Sequence, residues 1–289
     1  MKNWQDFDYC WFLPNIAKLP ARLGYALAYV RGLLYALLRR DWRMLSHLDA
    51  DVDMRTRMAI LQLAPLNRLK QVLIRLQRYA SQSIEEYAAE RMVISASRYQ
   101  GFDTSLPKQA VFITAHYGVS IQGAQKIAQV YNGLLMTSSV VEKEQVAACV
   151  QQHYQRKYTC IPHAHIETGA KTFLRHLKQG GSIIIIADLP AEIAAESSCI
   201  ETMMGDAHLA AGAKRLAQQA QVPIIAYTCV PNASGDWQYQ FSQPSYPHKY
   251  LTDWYLPAYA WLTQQLFSKP KWWWAMDLLP LWYAKREEA

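Results

Sequence analysis

The first hundred residues repeat hydrophobic side chains at the three- and four-residue intervals of amphipathic helices. This spacing predicts helices over residues 21–43, 52–62, 65–79 and 84–97. Ser83 and Glu86 match a capping box at the start of the last of these helices. Residues 1–100 are therefore expected to form an N-terminal helical region.

The pattern changes after Pro107, where short apolar runs begin to alternate with amphipathic segments. The apolar runs predict strands over residues 110–115, 134–141, 182–187, 223–230 and 237–242, and the intervening segments predict helices over residues 122–131, 143–157, 168–177 and 209–221. The run SIIIIA is apolar on both faces, as in a strand buried in the middle of a sheet. This alternation predicts an α/β domain over residues 101–289, with a mostly parallel central sheet flanked by helices and continuous with the N-terminal region.

The composition is that of a folded globular protein, with 289 residues of which 51% are hydrophobic and 18% charged. It excludes a disordered, collagen-like or coiled-coil chain. The five cysteines form no CxxC pair, so neither a disulfide framework nor a zinc ribbon is predicted. Residues 1–13 contain Asp6 and Asp8 and have no small-residue cleavage site, so we expect no secretory signal.

All of the excess positive charge lies in the first quarter of the chain. Residues 1–79 hold 13 Lys and Arg against 6 Asp and Glu, whereas the remainder holds 17 of each kind. No nucleic-acid-binding motif accompanies this charge, so we expect no nucleic acid partner. The apolar stretch at 24–38 is too short to span a bilayer and is interrupted by Arg31. It fits a helix lying on an anionic membrane surface, and equally a helix buried in the core.

The tryptophan-rich residues 271–283 predict either a latch buried around the sheet or an interfacial patch.

Two titratable side chains follow predicted strands. His116 comes directly after the strand at 110–115, and Asp188 directly after the strand at 182–187. Ligands of parallel sheets bind beyond the carboxyl ends of the strands, and an imidazole there can take a proton from a hydroxyl or an amine. We therefore predict that His116 and Asp188 are catalytic. The alternative roles are a histidine that hydrogen-bonds a loop and an aspartate that caps a helix.

Four segments of the sequence together form a recognisable pattern. They are VFITAHYG at 111–118, a basic segment at 154–157, LKQGGSIIIIADLP at 177–190 and MMGDAHLAAGAKRLAQQAQVPIIA at 203–226. In order and spacing they resemble the bacterial late acyltransferases of lipid A biosynthesis, in the lysophospholipid acyltransferase superfamily. The resemblance covers most of residues 20–285. It implies transfer of an acyl group from a thioester, on acyl carrier protein or coenzyme A, to a hydroxyl or amine of a membrane-associated acceptor.

The resemblance also implies that His116 is a general base, which in the family is followed after four residues by an orienting Asp or Glu. The equivalent position here is Ile121, so the motif is degenerate. Loss of an orienting carboxylate can lower turnover by on the order of 10⁴. Three explanations are open: another carboxylate replaces the acid, the acceptor is an amine that needs less help from a base, or the chain does not catalyse acyl transfer. The carboxylates available for replacement are Asp188, Glu142, Glu144 and Asp206.

Five further residues are predicted to bind substrate, namely Gly118, Arg156, Lys157, Gly205 and Gly212. Gly118 permits a tight turn beside His116. Arg156 and Lys157 offer cations for phosphate oxygens, or else belong to a solvated helix face. The resemblance places Gly205 and Gly212 near the acceptor or acyl group, where a small residue lets the backbone approach; the alternative is a turn glycine and a helix-packing glycine.

Two patterns point to other chemistry and are weaker. His163 and His165 resemble a metal-binding pair but have no third ligand at a suitable spacing, so no metal is predicted. GVSIQ at 118–122 approaches the nucleophile elbow of serine hydrolases and departs from it in its last residue, although Ser120 and His208 stand in the chain order of such a triad.

The resemblance implies partners and a location as well. The donor is an acyl carrier or peptidyl carrier protein, the acceptor is a lipid or an amine, and the protein is peripheral to the anionic cytoplasmic face of the bacterial inner membrane. No cofactor beyond the donor thioester is expected. Two alternatives stand beside acyl transfer: transfer of an aminoacyl group such as glycine from a carrier protein to lipid A, as in a distant branch of the superfamily, and a non-catalytic relative that binds lipid or a partner protein.

Overall fold

Seven strands form the central sheet of the computed structural model, and two more form a separate antiparallel pair. In chain order the strands are β1 (Tyr99–Gln100), β2 (Val111–Thr114), β3 (Gly133–Thr137), β4 (His163–His165), β5 (Ser182–Ile186), β6 (Ser197–Thr202), β7 (Gly205–Ala210), β8 (Ile224–Pro231) and β9 (Trp237–Phe241). The structure describes residues 7, 11–16, 19–20, 23, 26–27, 30–31, 34, 99–118, 120–137, 161–190, 197–202, 205–231, 237–269, 272–273, 275 and 282.

The order of strands across the sheet is β1-β9-β8-β2-β5-β3-β4. The five strands from β8 to β4 are parallel, and β9 runs antiparallel to β8. All four residues of β2 and the first four of β5 are buried, as their continuous apolar sequences require. The predicted α/β fold with a mostly parallel sheet is therefore confirmed.

Helices cover both faces of the sheet. In chain order the described helices are α1 (Leu13–Ile16), α2 (Ser120–Tyr131), α3 (Ala170–Lys178), α4 (Gly212–Ala220) and α5 (Leu256–Ser268), and those from α2 to α5 pack on the sheet. Alternate residues of β2 point to opposite faces: Phe112 packs in the same cluster as α2, whereas Val111 and Ile113 pack in the cluster that holds α3, α4 and α5. The chain thus leaves β2 through a helix on one face and returns from β5 to β8 through a helix on the other.

This change of direction makes the β2–β5 boundary a topological switch point of the sheet. The connection from β2 leads to β3 on one side, and the connection from β5 leads to β8 on the other side. Connections that diverge in this way leave a crevice beyond the carboxyl ends of the two strands, where α/β proteins bind their ligands. The two strands in question are the ones that precede His116 and Asp188.

The described residues between positions 23 and 34 are helical, and their apolar side chains face outward. Leu23, Leu27, Val30 and Leu34 are between 37% and 53% exposed, whereas the Arg31 guanidinium is buried and lies 5.4 Å from the centroid of the Phe7 ring. Among the described residues, no helix is long and apolar enough to cross a membrane. The helices predicted at 52–62, 65–79, 84–97 and 143–157 lie outside the described residues.

The structure differs from the sequence prediction at several elements. Leu209 and Ala210 belong to β7, so the helix predicted at 209–221 begins only at Gly212. The hairpin of β6 and β7 was not predicted, because its two short strands carry few buried apolar residues, namely Ile200, Ala207 and Leu209 among those described. Helix α5 was also not predicted, although Pro257 stands in its first turn. In addition β1 pairs with β9, so the sheet includes Tyr99 and Gln100.

Candidate active site

His116 and Asp188 lie side by side beyond the carboxyl ends of β2 and β5. Thr114 pairs with Ile186 at the ends of these strands, so the residues two positions further on are level with each other. The Nδ1 atom of His116 is 2.8 Å from Oδ1 of Asp188, and the main-chain N–H of His116 donates to Oδ2 at 2.9 Å. The structure therefore brings the two predicted catalytic residues together, and their catalytic role remains a prediction.

The surroundings of the pair fix the protonation of the imidazole. The Asp188 side chain is fully buried, whereas that of His116 is 20% exposed. A carboxylate accepts hydrogen bonds, so Nδ1 is the nitrogen that carries the proton, and Nε2 on the opposite side of the ring carries the lone pair. The arrangement holds the imidazole in one tautomer beside a buried carboxylate.

Two tryptophans from the end of the chain complete the surroundings of Asp188. The indole N–H of Trp273 donates to Oδ2 of Asp188 at 3.0 Å, and that of Trp282 donates to the main-chain carbonyl of Asp188 at 3.1 Å. Both indoles are buried, with ring centroids 4.9 Å apart. For these two residues the prediction of a buried latch is confirmed. Sequence reasoning did not connect them to Asp188; the only available signal was that a buried indole N–H needs an acceptor.

The same segment holds the loop that carries His116. The main-chain N–H of Gly118 donates to the carbonyl of Trp272 at 2.8 Å, and Tyr117 forms a β-bridge with Trp273. The buried Tyr117 phenol does not compete as a proton carrier, because burial raises its pKa far above neutrality. The end of the chain thus contacts both halves of the site.

Gly118 has a structural requirement of its own. Its φ is +55°, and a Cβ atom at this position would clash with the main-chain oxygen of Cys229 in β8. A side chain would therefore force the loop away from the sheet. This close approach accounts for the glycine two residues after His116, and its predicted contact with substrate remains untested.

Of the other predicted binding residues, two glycines are described and two basic residues are not. Gly205 begins β7 and pairs with Thr202 across the hairpin, and Gly212 is the exposed first residue of α4. Neither glycine contributes to the hydrogen bonds that hold His116 and Asp188. Arg156 and Lys157 lie outside the described residues, and their role stays a prediction.

Four carboxylates are candidates for contact with His116. Asp206 is an exposed residue of β7, paired across the hairpin with Glu201. Glu142 and Glu144 lie outside the described residues. Among the candidates that the structure describes, Asp188 contacts the His116 ring. It emerges from a different strand and stands 72 positions further along the chain than the histidine.

Ser120 is engaged in holding the backbone and not in a catalytic triad. Its hydroxyl is buried and lies 2.5 Å from the carbonyl oxygen of Ala115 and 2.6 Å from that of Tyr117, to which it donates. It also accepts the main-chain N–H of Tyr117 at 3.2 Å. These contacts fasten the loop after β2 to the start of α2, and they leave the serine hydrolase interpretation without a nucleophile.

The described cysteines are not activated nucleophiles. Burial raises the pKa of the Cys229 thiol, and burial together with the charge of Asp206 raises the pKa of Cys199. A thiolate is therefore disfavoured at both positions.

His163 and His165 form β4 and contact neighbouring groups. Nδ1 of His163 contacts the carbonyl of Ile161, and Nδ1 of His165 contacts the hydroxyl of Thr137. Within the described ranges, no three His, Cys, Asp or Glu residues are grouped so as to hold a metal ion.

The sequence matches no protein family model and no curated protein.

Proposed function

We propose that the protein is an acyltransferase, which moves an acyl group from a carrier-protein or coenzyme A thioester to a hydroxyl group of a membrane-associated acceptor. The observation that carries the proposal is the contact of 2.8 Å between His116 Nδ1 and Asp188 Oδ1 at the switch point of the sheet. The resemblance to the lipid A acyltransferases supports the choice of reaction, because a general base of this kind is what transfer to a hydroxyl requires.

In the proposed reaction, Nε2 of His116 takes the proton of the acceptor hydroxyl. The hydroxyl oxygen of the acceptor attacks the carbonyl carbon of the thioester at the same time. A carbon–oxygen bond forms, and the carbon–sulfur bond then breaks. The departing sulfur receives the proton from the imidazolium, so the products are an ester and a free thiol on the carrier. Asp188 keeps the imidazole in the productive tautomer and balances the positive charge that forms on it.

Relocation of the acid is the explanation of the degenerate motif that the geometry favours. Ile121, the position of the family's acid, lies in the first turn of α2, whereas the carboxylate beside His116 comes from the end of β5. A neutral amine attacks a thioester without prior loss of a proton, so a histidine base oriented by a buried carboxylate contributes more to transfer to a hydroxyl acceptor. Transfer to an amine, as in aminoacyl transfer, is the second outcome that an experiment has to distinguish.

We also propose that the protein is peripheral to the cytoplasmic face of the bacterial inner membrane. The helical residues between positions 23 and 34 form an outward-facing apolar stripe of Leu23, Leu27, Val30 and Leu34. Residues 1–79 carry the whole excess of positive charge, which suits an anionic lipid surface. Such an attachment holds the site beside a lipid acceptor while the donor arrives from solution on its carrier.

The proposal is tested by intact-mass analysis of carrier proteins loaded with different acyl and aminoacyl groups, after incubation with the protein and lipid acceptors. We expect loss of the acyl mass from at least one carrier, dependent on a hydroxyl acceptor and abolished by His116→Ala. Discharge that depends on an amine acceptor would assign the aminoacyl alternative. Failure to discharge any carrier or coenzyme A thioester, with binding of lipid retained, would identify a non-catalytic relative.

A further inference from the structure

We propose that Trp273 is a positioning residue for the His116–Asp188 pair, so that its indole N–H orients the pair in addition to packing in the core. The inference rests on the proposed function, in which this pair removes a proton from the acceptor. Trp273 stands 85 positions after Asp188, yet its indole N–H donates to Oδ2 of that residue at 3.0 Å.

Three N–H groups contact the carboxylate of Asp188. Oδ1 of Asp188 faces Nδ1 of His116, and Oδ2 accepts one N–H from the His116 main chain and one from Trp273. The side chain is fully buried, so water does not replace a missing donor. Each donor therefore both compensates the buried charge and fixes the rotation of the carboxylate plane.

Without the indole N–H, Oδ2 would keep a single donor. The carboxylate would then be less well compensated and freer to rotate about its Cβ–Cγ bond, which moves Oδ1 out of line with Nδ1. The imidazole would lose part of the restraint that holds its tautomer and orientation. Trp273 thus acts on the reaction through Asp188, at a distance from the reacting atoms.

Trp282 provides the matched comparison. Its indole is buried like that of Trp273, the two rings pack together, and its N–H donates to the same residue. The acceptor is the main-chain carbonyl of Asp188 and not the carboxylate. Loss of either N–H removes one buried hydrogen bond, but only the bond of Trp273 acts on the group that orients His116.

The experiment replaces each tryptophan in turn by benzothienylalanine, an analogue of the same shape in which sulfur takes the place of the indole N–H. At position 273 we expect kcat to fall about 10- to 100-fold, the range for one hydrogen bond to a charged group, with KM within about twofold. At position 282 we expect kcat within about threefold of the unmodified protein, since a neutral bond to the main chain is lost. The W273F and W282F variants repeat the comparison without the analogue.

A second measurement is independent of turnover. In protein labelled with ¹⁵N-histidine, the Nδ1–H signal of His116 is identified by its absence from the His116→Ala variant. We expect the analogue at position 273 to shift or broaden this signal and the analogue at position 282 to leave it in place. This shift in a protein that transfers no acyl group would reject the proposed function but retain the positioning role. An unchanged signal and unchanged kcat at position 273, or equal effects at both positions, would show that Trp273 contributes packing alone.

Discussion

Replacement of Asp188 by asparagine separates an orienting carboxylate from a merely structural one. The site presents three N–H donors to this side chain: the main chain and Nδ1 of His116, and the indole of Trp273. An amide of the same shape has one carbonyl oxygen and one NH₂ group, so it cannot accept all three. Either orientation of the amide leaves a conflict, and the structure indicates which one prevails.

If the amide oxygen takes the place of Oδ1, the NH₂ group faces two N–H donors, and each unsatisfied contact costs about 1–3 kcal/mol. If the oxygen takes the place of Oδ2, both of those bonds survive and only Nδ1 faces the NH₂ group. The imidazole resolves this contact by moving its proton to Nε2. The second arrangement has the lower free energy, and it leaves Nε2 without the lone pair that accepts the proton of the substrate.

We therefore expect Asp188→Asn to lower kcat by about 10³- to 10⁴-fold, as the wrong tautomer does in a serine-protease triad. The free energy of unfolding should fall by only about 1–3 kcal/mol, because two of the three hydrogen bonds are kept and a buried charge is removed. The assay is turnover of a thioester donor with a hydroxyl acceptor, together with chemical denaturation. Asp206→Asn is the matched control, since Asp206 is exposed in the β6–β7 hairpin, and should leave both quantities unchanged.

The double variant with His116→Ala tests whether the two residues act as a unit. We expect its turnover to be little lower than that of either single variant, because residues that act together give strongly non-additive losses. Turnover of Asp188→Asn within tenfold of the unmodified protein, or fully additive losses, would refute the argument.

Three further outcomes are expected. His116→Ala should leave the fold intact and lower turnover by at least about 10²-fold, the contribution of a positioned proton acceptor, as measured by steady-state kinetics and circular dichroism; near-normal turnover would place the chemistry elsewhere. Gly118→Ala should lower the free energy of unfolding by about 2–4 kcal/mol in a denaturation assay, because its φ is positive and the new methyl group would clash with the Cys229 carbonyl. Gly212→Ala is the control: its methyl group would face open space, so the free energy of unfolding should change by less than about 1 kcal/mol. In flotation with anionic liposomes, Leu27→Glu and Val30→Glu should weaken association and salt should weaken it further, while association that resists both high salt and carbonate would indicate an integral anchor.

Sequence patterns predicted the parts of the fold in which local and tertiary preferences agree. The apolar runs around Phe112 and Ile184 are buried on both faces, and this requirement is visible in the sequence itself. The hairpin of β6 and β7 is different, because its pairing depends on a neighbour across the turn, and Leu209 and Ala210 also fit the start of the helix that follows. Whether such a segment forms a strand or a helix depends on tertiary pairing, which a single sequence does not show.

The candidate site was likewise predictable from the sequence only in part. The strand-end positions of His116 and Asp188, with the rule that parallel strands end at one edge, were enough to predict that both residues lie at that edge and to make Asp188 one of four candidate partners of His116. The contribution of Trp273 and Trp282 could not be predicted, because it depends on where the chain end docks. Their spacing carries no period that points to Asp188. What the sequence did contain was an unusual density of indoles, each of which needs an acceptor when buried.

The most direct test of the proposed chemistry compares two acceptors that differ only in carrying a hydroxyl or an amino group at the reacting position. Single-turnover rates of acyl transfer are measured for the unmodified protein, His116→Ala and Asp188→Asn. A general base matters most for the acceptor that must lose its proton during attack, so both variants should lower the hydroxyl rate by at least about 10²-fold and the amine rate far less. Equal losses with the two acceptors would contradict proton removal by His116 and would assign the pair a role in binding instead.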